Sequence, residues 1–278
     1  VPDIILMNGR RMSIRSTSRW RVLLSYRLHV LSACVAILIA PALGGEESSS
    51  DVELAPLAER HPGLQNFFKL SNRIRSGGQP QGEAVFLELQ RMGIRTIVSV
   101  DGARPDVEMA RKHGLRYIHI PISYDGVSDE AKAALTRVVR EATGPIYIHC
   151  HRGKHRGPAA AAVACVADGM EPGEAAIAIL ESAGTGKEYG GLWRDVKNFL
   201  PLAKDVPLPK LHEVAQVEPF VLAMASMESA FDRLDAIEKH GWPASTTEDL
   251  RERIEASTLI GEGFGEADRL AEGKYPPE

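Results

Sequence analysis

Three features of this 278-residue chain predict an α/β fold: a mostly parallel central sheet flanked by helices, with a helical hairpin after it. Between residues 67 and 204, short β-branched or aromatic runs alternate with amphipathic segments, a pattern that lays strands in parallel and helices over both faces. One of those runs, Ile146–His149, passes through a loop rich in glycine and cations into the alanine-rich stretch Pro158–Val163. Beyond Pro207-Leu-Pro209 the strands stop and two long stretches of helical period follow.

Taken in order, residues 1–45 read as an export leader. Arg10, Arg11, Arg15, Arg19 and Arg21 precede the apolar run Leu28–Ala40, which is short for a membrane span, and Ala40-Pro-Ala42 and Ala42-Leu-Gly44 are small-residue cleavage sites. The expected location is exported, periplasmic or extracytoplasmic; an uncleaved anchor is the alternative. Residues 46–66 are polar and acidic and read as a linker. A compact domain over 67–204 opens with a hairpin, Phe67–Leu70 and Arg73–Arg75, around Ser71-Asn72. The turn Ser76–Pro80 leads into a helix over Gln81–Met92, with Phe86, Leu87 and Leu89 apolar. Arg95–Val100 is a strand, and Pro105–His113 a helix closed by Gly114. Arg116–Ile120 is a strand, Ser128–Glu141 a helix, and Pro145–His149 the strand that feeds the loop.

Residues 205–278 are expected to be helical. Val217–His240 carries Val217, Phe220, Met224, Phe231, Leu234 and Ile237 at helical spacing, with Pro219 in the first turn and Gly241 at the stop. Thr247–Leu270 reads as a weaker helix, interrupted by Gly261, Gly263 and Gly265. The apolar stripe is expected to pack on the preceding domain or on a second copy of the chain, so self-association is a candidate, and no chemistry is assigned here.

Charge narrows the partners. The formal net charge is −4, but residues 1–44 hold six Arg and one Asp, leaving 27 basic and 36 acidic residues, a net of −9. An acidic body argues against nucleic acid and against a membrane surface beyond the leader. The cationic loop at 152–156 then stands out as a focus for an anionic substrate. Of the three cysteines, Cys34 lies in the leader. Cys150 and Cys165 are separated by a loop and about three helical turns, too far for a disulfide, and Cys165 reads as core.

A loop joining the carboxyl end of a strand to the amino end of a helix collects unpaired N–H groups and the positive end of the helix dipole. Cys150 sits there with Arg152, Lys154 and Arg156, surroundings that favour a nucleophilic thiolate. Arg156 can curl back to clamp two oxygens of one phosphate, while Gly153 and Gly157 permit close backbone approach. The candidate phosphate-binding set is His151, Arg152, Gly153, Lys154, His155 and Gly157, with solvated surface as the equal alternative for His151 and His155. His149-Cys150-His151 does not suggest a metal, because neighbours on a strand point to opposite faces and no second ligand pair is near. No cofactor is called for. Gly184–Lys187 reads as a turn between helices. Tyr189–Trp193 closes one side of the pocket or belongs to the core.

The pattern His149-Cys150, five residues and Arg156 resembles the protein tyrosine phosphatase superfamily. Its inner sequence Arg152–Arg156 is most similar to the plant and fungal atypical dual-specificity phosphatases, which hydrolyse inositol pyrophosphates. The likeness covers roughly Phe67–Lys204 and includes the turn at Ser76–Pro80. It implies a cysteine-phosphatase-like sheet, Cys150 as nucleophile, Arg156 as phosphate clamp, His149 as support and an Asp from a mobile loop as general acid. Pro121–Gly126 stands at that place, so Asp125 is the implied acid and Asp129 the reserve. The plain alternative is that Asp125 starts a turn with Gly126 or caps the next helix. Asp101-Gly102 also follows a strand and could line the cleft, with a turn role favoured. The family usually has Ser or Thr directly after the Arg; Gly157 stands there, which implies slow turnover or a water in place of the hydroxyl. The resemblance thus implies a phosphatase acting on phosphate monoesters or inositol pyrophosphates, with a small anionic phosphate or a phosphoprotein as substrate. A phosphate-binding module with little turnover and a rhodanese-like sulfur transferase are the alternatives.

Overall fold

The computed structural model describes residues 57–241 and 246–271; the expected leader lies outside them. Six strands are present: β1 (Leu57–Ala58), β2 (Phe68–Lys69), β3 (Ile74–Gly77), β4 (Thr96–Ser99), β5 (Arg116–His119) and β6 (Ile146–His149). Their order in the sheet is β1-β2-β3-β6-β4-β5, antiparallel through β1, β2 and β3 and parallel from β3 to β5. The parallel part has the expected mostly parallel character. β4 and β6 are buried along their whole length, which is why they read as continuous apolar runs rather than alternating ones.

Alternation across the pleat sends the side chains to two cores. Ile97, Tyr117 and Tyr147 meet Phe86 and Leu89 of α1 (Glu83–Arg91) and Ala110 of α2 (Val107–Lys112). Val98, Ile118, Ile146 and Ile148 face the larger core beneath α3 (Asp129–Glu141), α4 (Arg156–Ala167), α5 (Glu174–Ala183) and α6 (Gly190–Lys197). Helix α4 is apolar all round, as a central helix must be. Ala159, Ala160, Ala161 and Ala162 are each fully buried, small enough for β3, β6, α3, α5 and α6 all to lie against it.

Four helices begin one or two residues later than the pattern suggested, two of them because a polar residue caps rather than joins the helix. Asp106 accepts from the Met109 amide before α2, and Ser128 from the Ala131 amide before α3. Helices α5 and α6 were not assigned from the sequence; the turn expected at Gly184–Lys187 joins them.

The stretch 57–66, read as linker, is part of the fold. β1 pairs with β2, Leu64 is buried in the smaller core, and Asn66, at φ 49°, reaches the loop described below. The hydrophobic period missed it because only single residues of the stretch are buried.

The C-terminal pair consists of α7 (Pro219–His240), ended by Gly241 at φ 94°, and α8 (Thr247–Ala271). The chain reaches it along an extended link. Arg137 donates to the Pro209 carbonyl (2.9 Å), and the His119 amide to that of His212 (2.8 Å). The expected interruption of α8 at its glycines is not found. A Cβ on Gly263 would lie 2.2 Å from Met227 Cγ, so this glycine lets α8 approach α7, beside the buried Ala230 and Ala256. Packing across the seam offsets the cost of glycine inside a helix, about 1 kcal/mol per residue. Among the described residues, no helix is long and apolar enough to cross a membrane.

Candidate active site

β6 delivers His149 and Cys150 to the carboxyl end of the sheet, where α4 begins at Arg156. His149 is buried, and that burial pushes its pKa down to about 4, leaving a neutral ring at neutral pH. Its Nδ1 lies 3.3 Å from the Cys150 carbonyl, which can only accept, so Nδ1 carries the proton. Nε2 then accepts from the Tyr117 hydroxyl at 2.6 Å. The residue ahead of the cysteine is thus locked from both sides.

The loop from Cys150 to Arg156 is held by its carbonyls, which face outward. The His151 carbonyl accepts from the Gln79 amide (2.9 Å), Gly153 from Asn66 Nδ2 (2.8 Å) and Lys154 from Thr185 Oγ1 (2.8 Å). Among the described residues, the amides of Arg152, Gly153, Lys154 and His155 have no protein partner. Outward carbonyls and uncommitted amides are the makings of an anion-binding nest. Gly153, at φ 66°, is required twice over: a Cβ there would also stand 2.2 Å from the Gly77 carbonyl carbon.

Arg156 is 6% exposed, and its Nη2 donates to Asp101 Oδ2 at 2.7 Å. Its guanidinium lies 4.5 Å from the centre of the Tyr124 ring. Burial, the largest single influence, acts to lower its pKa, but the Asp101 carboxylate, with Tyr124, Cys150 and Glu228 behind it, raises it. For Asp101 burial is the largest influence and acts upward, but Arg156 together with the Ala103 and His151 amides outweighs it, so the carboxyl is held below its ordinary value. One donor is left over: the buried Nε of Arg156 has no partner among the described residues. Buried donors are nearly always paired, so an orphan in the same loop as four uncommitted amides points to an anion as its partner.

Asp101 corrects an expectation. It does make the expected turn, accepting from the Ala103 amide at 3.0 Å, but it also binds Arg156 and the His151 amide (2.9 Å). Gly157 also has a local reason. A Cβ there would lie 3.0 Å from the Cys150 amide nitrogen and 3.3 Å from Sγ, tight contacts that glycine avoids.

The rim is aromatic on one side. The rings of Tyr124, Tyr189 and His155 are mutually in contact, with centroids 4.6–6.3 Å apart. Burial, and then Lys154, lower the His155 pKa, and its Nδ1 accepts from the Gly186 amide (3.2 Å). Asp125 follows Tyr124. Its amide donates to Ser123 Oγ (3.1 Å) and α6 packs closely on its carbonyl, where Gly191 leaves room. Its carboxylate is exposed and without a partner among the described residues. The turn reading and the acid reading are therefore compatible. Asp129 is fully exposed in the first turn of α3, paired with Lys132 at 3.0 Å.

The predicted phosphate-binding residues separate into two groups. The backbone of 152–155 and the buried Nε of Arg156 keep donors without a partner among the described residues. The side chains of His151 and Arg152 instead meet one carboxylate of α7: Asp232 lies 2.7 Å from His151 Nε2 and 2.6 Å from Arg152 Nη2. Lys154 lays its stem against Gly184. Asn66, Tyr117, Tyr124 and Asp232 were missed by sequence reasoning, since each lies far along the chain from the loop it touches. Among the described residues, no cluster of His, Cys, Asp or Glu could hold a metal ion.

No protein-family model matches the chain, and no curated protein matches it significantly. Solved structures that resemble it include phosphatases of the protein tyrosine phosphatase superfamily. TpbA of P. aeruginosa is 22% identical, over 52% of this chain and 98% of its own, with a TM-score of 0.39. A phosphatase-named DUF442 protein of Shewanella putrefaciens CN-32 is 17% identical, over 48% and 90%, with a TM-score of 0.40. Human DUSP28 is 16% identical, over 51% and 97%, with a TM-score of 0.38.

Proposed function

We propose that the chain is a cysteine-dependent phosphatase of the protein tyrosine phosphatase type. The observation that carries this reading is the orphaned, buried Nε of Arg156, in a loop whose amides at 152–155 are uncommitted and which begins at the buried Cys150. In the scheme these donors hold the three terminal oxygens of a phosphate monoester. The Cys150 thiolate attacks phosphorus, an S–P bond forms, and the bond from phosphorus to the leaving oxygen breaks. Asp125 gives its proton to that oxygen. Water then attacks the phosphocysteine, its proton passes to the Asp125 carboxylate, the S–P bond breaks, and inorganic phosphate leaves with the thiolate restored.

The finer reading keeps phosphate monoesters and inositol pyrophosphates as substrate classes, small or carried on a protein. It keeps an exported location, with 1–45 as leader and 205–278 as a helical appendage. A second reading rests on Gly157: without a hydroxyl on the first turn of α4, the phosphocysteine could persist and the domain act as a phosphate binder.

Phosphate release from an aryl monophosphate by the full chain, without added metal, is the test. Cys150→Ser is expected to lower it at least about a hundredfold. A phosphocysteine that forms and is not released would favour the binding module. Turnover that survives Cys150→Ser would end the cysteine mechanism.

A further inference from the structure

Helix α7 lies across the phosphate loop on one face. Val221 and Ala225 sit over Gly102, where a Cβ would come within 2.7 Å of Val221 Cγ1 and 3.6 Å of Ala225 Cβ. Seven residues on from Ala225, Asp232 grips Arg152 and His151. The positions 221, 225, 228 and 232 share a helical stripe, so Glu228 falls between Gly102 and Arg152. A cavity of about 550 Å³ has Arg152, Glu228 and Asp232 in its wall, with Met224, Met227 and Phe231. Glu228 also bears on the buried guanidinium, adding to the influences that raise the Arg156 pKa.

This changes the charge that an incoming anion meets. From sequence, the loop offers Arg152, Lys154 and Arg156 together, an arrangement suited to a densely phosphorylated molecule. In the folded chain only Arg156 keeps a buried donor for substrate. Arg152 and His151 are taken by Asp232, while Lys154 stays exposed, its side chain alongside Gly184 and with no carboxylate partner among the described residues. A carboxylate that already satisfies two of the cations repels each further phosphate beyond the first.

We infer that Asp232 and Glu228 of α7 are specificity-determining residues, which admit one phosphate group to the loop and exclude polyphosphorylated molecules. The inference rests on the proposed phosphatase reading and decides between its two substrate classes, in favour of singly phosphorylated ones.

The test compares kcat/KM for para-nitrophenyl phosphate and for inositol hexakisphosphate in the full chain, in Asp232→Asn and in Glu228→Gln. The wild type is expected to prefer the monophosphate. Each variant is expected to gain roughly tenfold on the polyphosphate, as for removal of one nearby repelling charge, and only about twofold on the monophosphate. Equal gains on both would make α7 a general cover and overturn the inference. Equal losses would make Asp232 a support for Arg152 and also overturn it. A wild type that prefers the polyphosphate overturns it outright. If neither compound is turned over, the phosphatase reading fails by itself. Calorimetric binding of inorganic phosphate and of inositol hexakisphosphate to Cys150→Ser, with and without Asp232→Asn, then still decides the filter. Polyphosphate binding that strengthens selectively in the double variant supports it; unchanged selectivity overturns it.

Discussion

The loop at Cys150–Arg156 and the helix α7 bring charge to the same spot by opposite means. The loop is short in sequence, with Cys150, His151, Gly153 and Arg156 buried, and each of its carbonyls at 151, 153 and 154 has its own partner from another element. Helix α7 is long and half exposed, with Val221, Leu222, Met224 and Phe231 open to solvent. It meets the loop through one carboxylate and a patch over Gly102. A cradle for a tetrahedral anion needs donors fixed to a fraction of an ångström, and that takes burial and many small constraints. A charge at the rim acts through space and tolerates looser placement.

If that contrast is right, substitutions in the loop should cost far more than substitutions in the hairpin. The largest effect is expected at Gly153. Gly153→Ala puts a Cβ into the Gly77 backbone at a left-handed φ and should cost several kcal/mol of stability and about a hundredfold in turnover. Denaturant unfolding and phosphate release measure both.

Next comes Asp101→Asn, which strips the buried Arg156 of its countercharge. Breaking such a pair costs about 3–5 kcal/mol. Because the Asp101 pKa is lowered in the folded chain, its contribution is present above the ordinary carboxylate value of 3.8 and is lost as pH falls below it. Wild type and variant should therefore converge in acid; a gap that stays constant down to pH 3 would contradict the assignment.

Tyr117→Phe should cost less, about 1–3 kcal/mol, by leaving His149 Nε2 buried without its donor. His149 itself adds a pH dependence. Its folded pKa, near 4, is below the ordinary 6.5, so the unfolded chain takes up the proton first. Stability should fall as pH drops from 6.5 toward 4, by roughly 3 kcal/mol at most. Thermal unfolding of His149→Asn should lack that slope.

The smallest effects are expected in the hairpin, and with opposite signs. Gly263→Ala drives a methyl into Met227 and should lose about 1 kcal/mol or more net. Gly265→Ala meets nothing within 4 Å and should gain up to about 1 kcal/mol from helix propensity. Neither should abolish monophosphate turnover. A Gly263→Ala chain inactive on every substrate would mean that α7 is part of the cradle, and the contrast would fail.

Much of the candidate site was legible because the loop is a local device. Strand, cysteine, glycine, arginine and helix lie within twenty residues, so spacing alone shows which groups share one strand end. Asp101 was half legible: it ends a strand, and ligand-facing residues gather at strand ends, but a turn residue and a guanidinium partner look alike in sequence. Asn66 carried no such mark. It lies in a stretch without hydrophobic period and matters through its amide, 87 positions from the carbonyl it holds. The glycines of α8 misled for a related reason, since a glycine that breaks a helix and one that lets two helices touch are the same letter.

By itself the sequence determined the α/β order of elements, the parallel core strands and the position of the cysteine loop. Each of these follows from local period and from the backbone's need to pair its polar groups. Only the tertiary structure decided which cations remain free for a ligand. Asp101 and Asp232 reach Arg156, His151 and Arg152 from 50 to 81 positions away, and a charge is neutralised by what lies beside it in space.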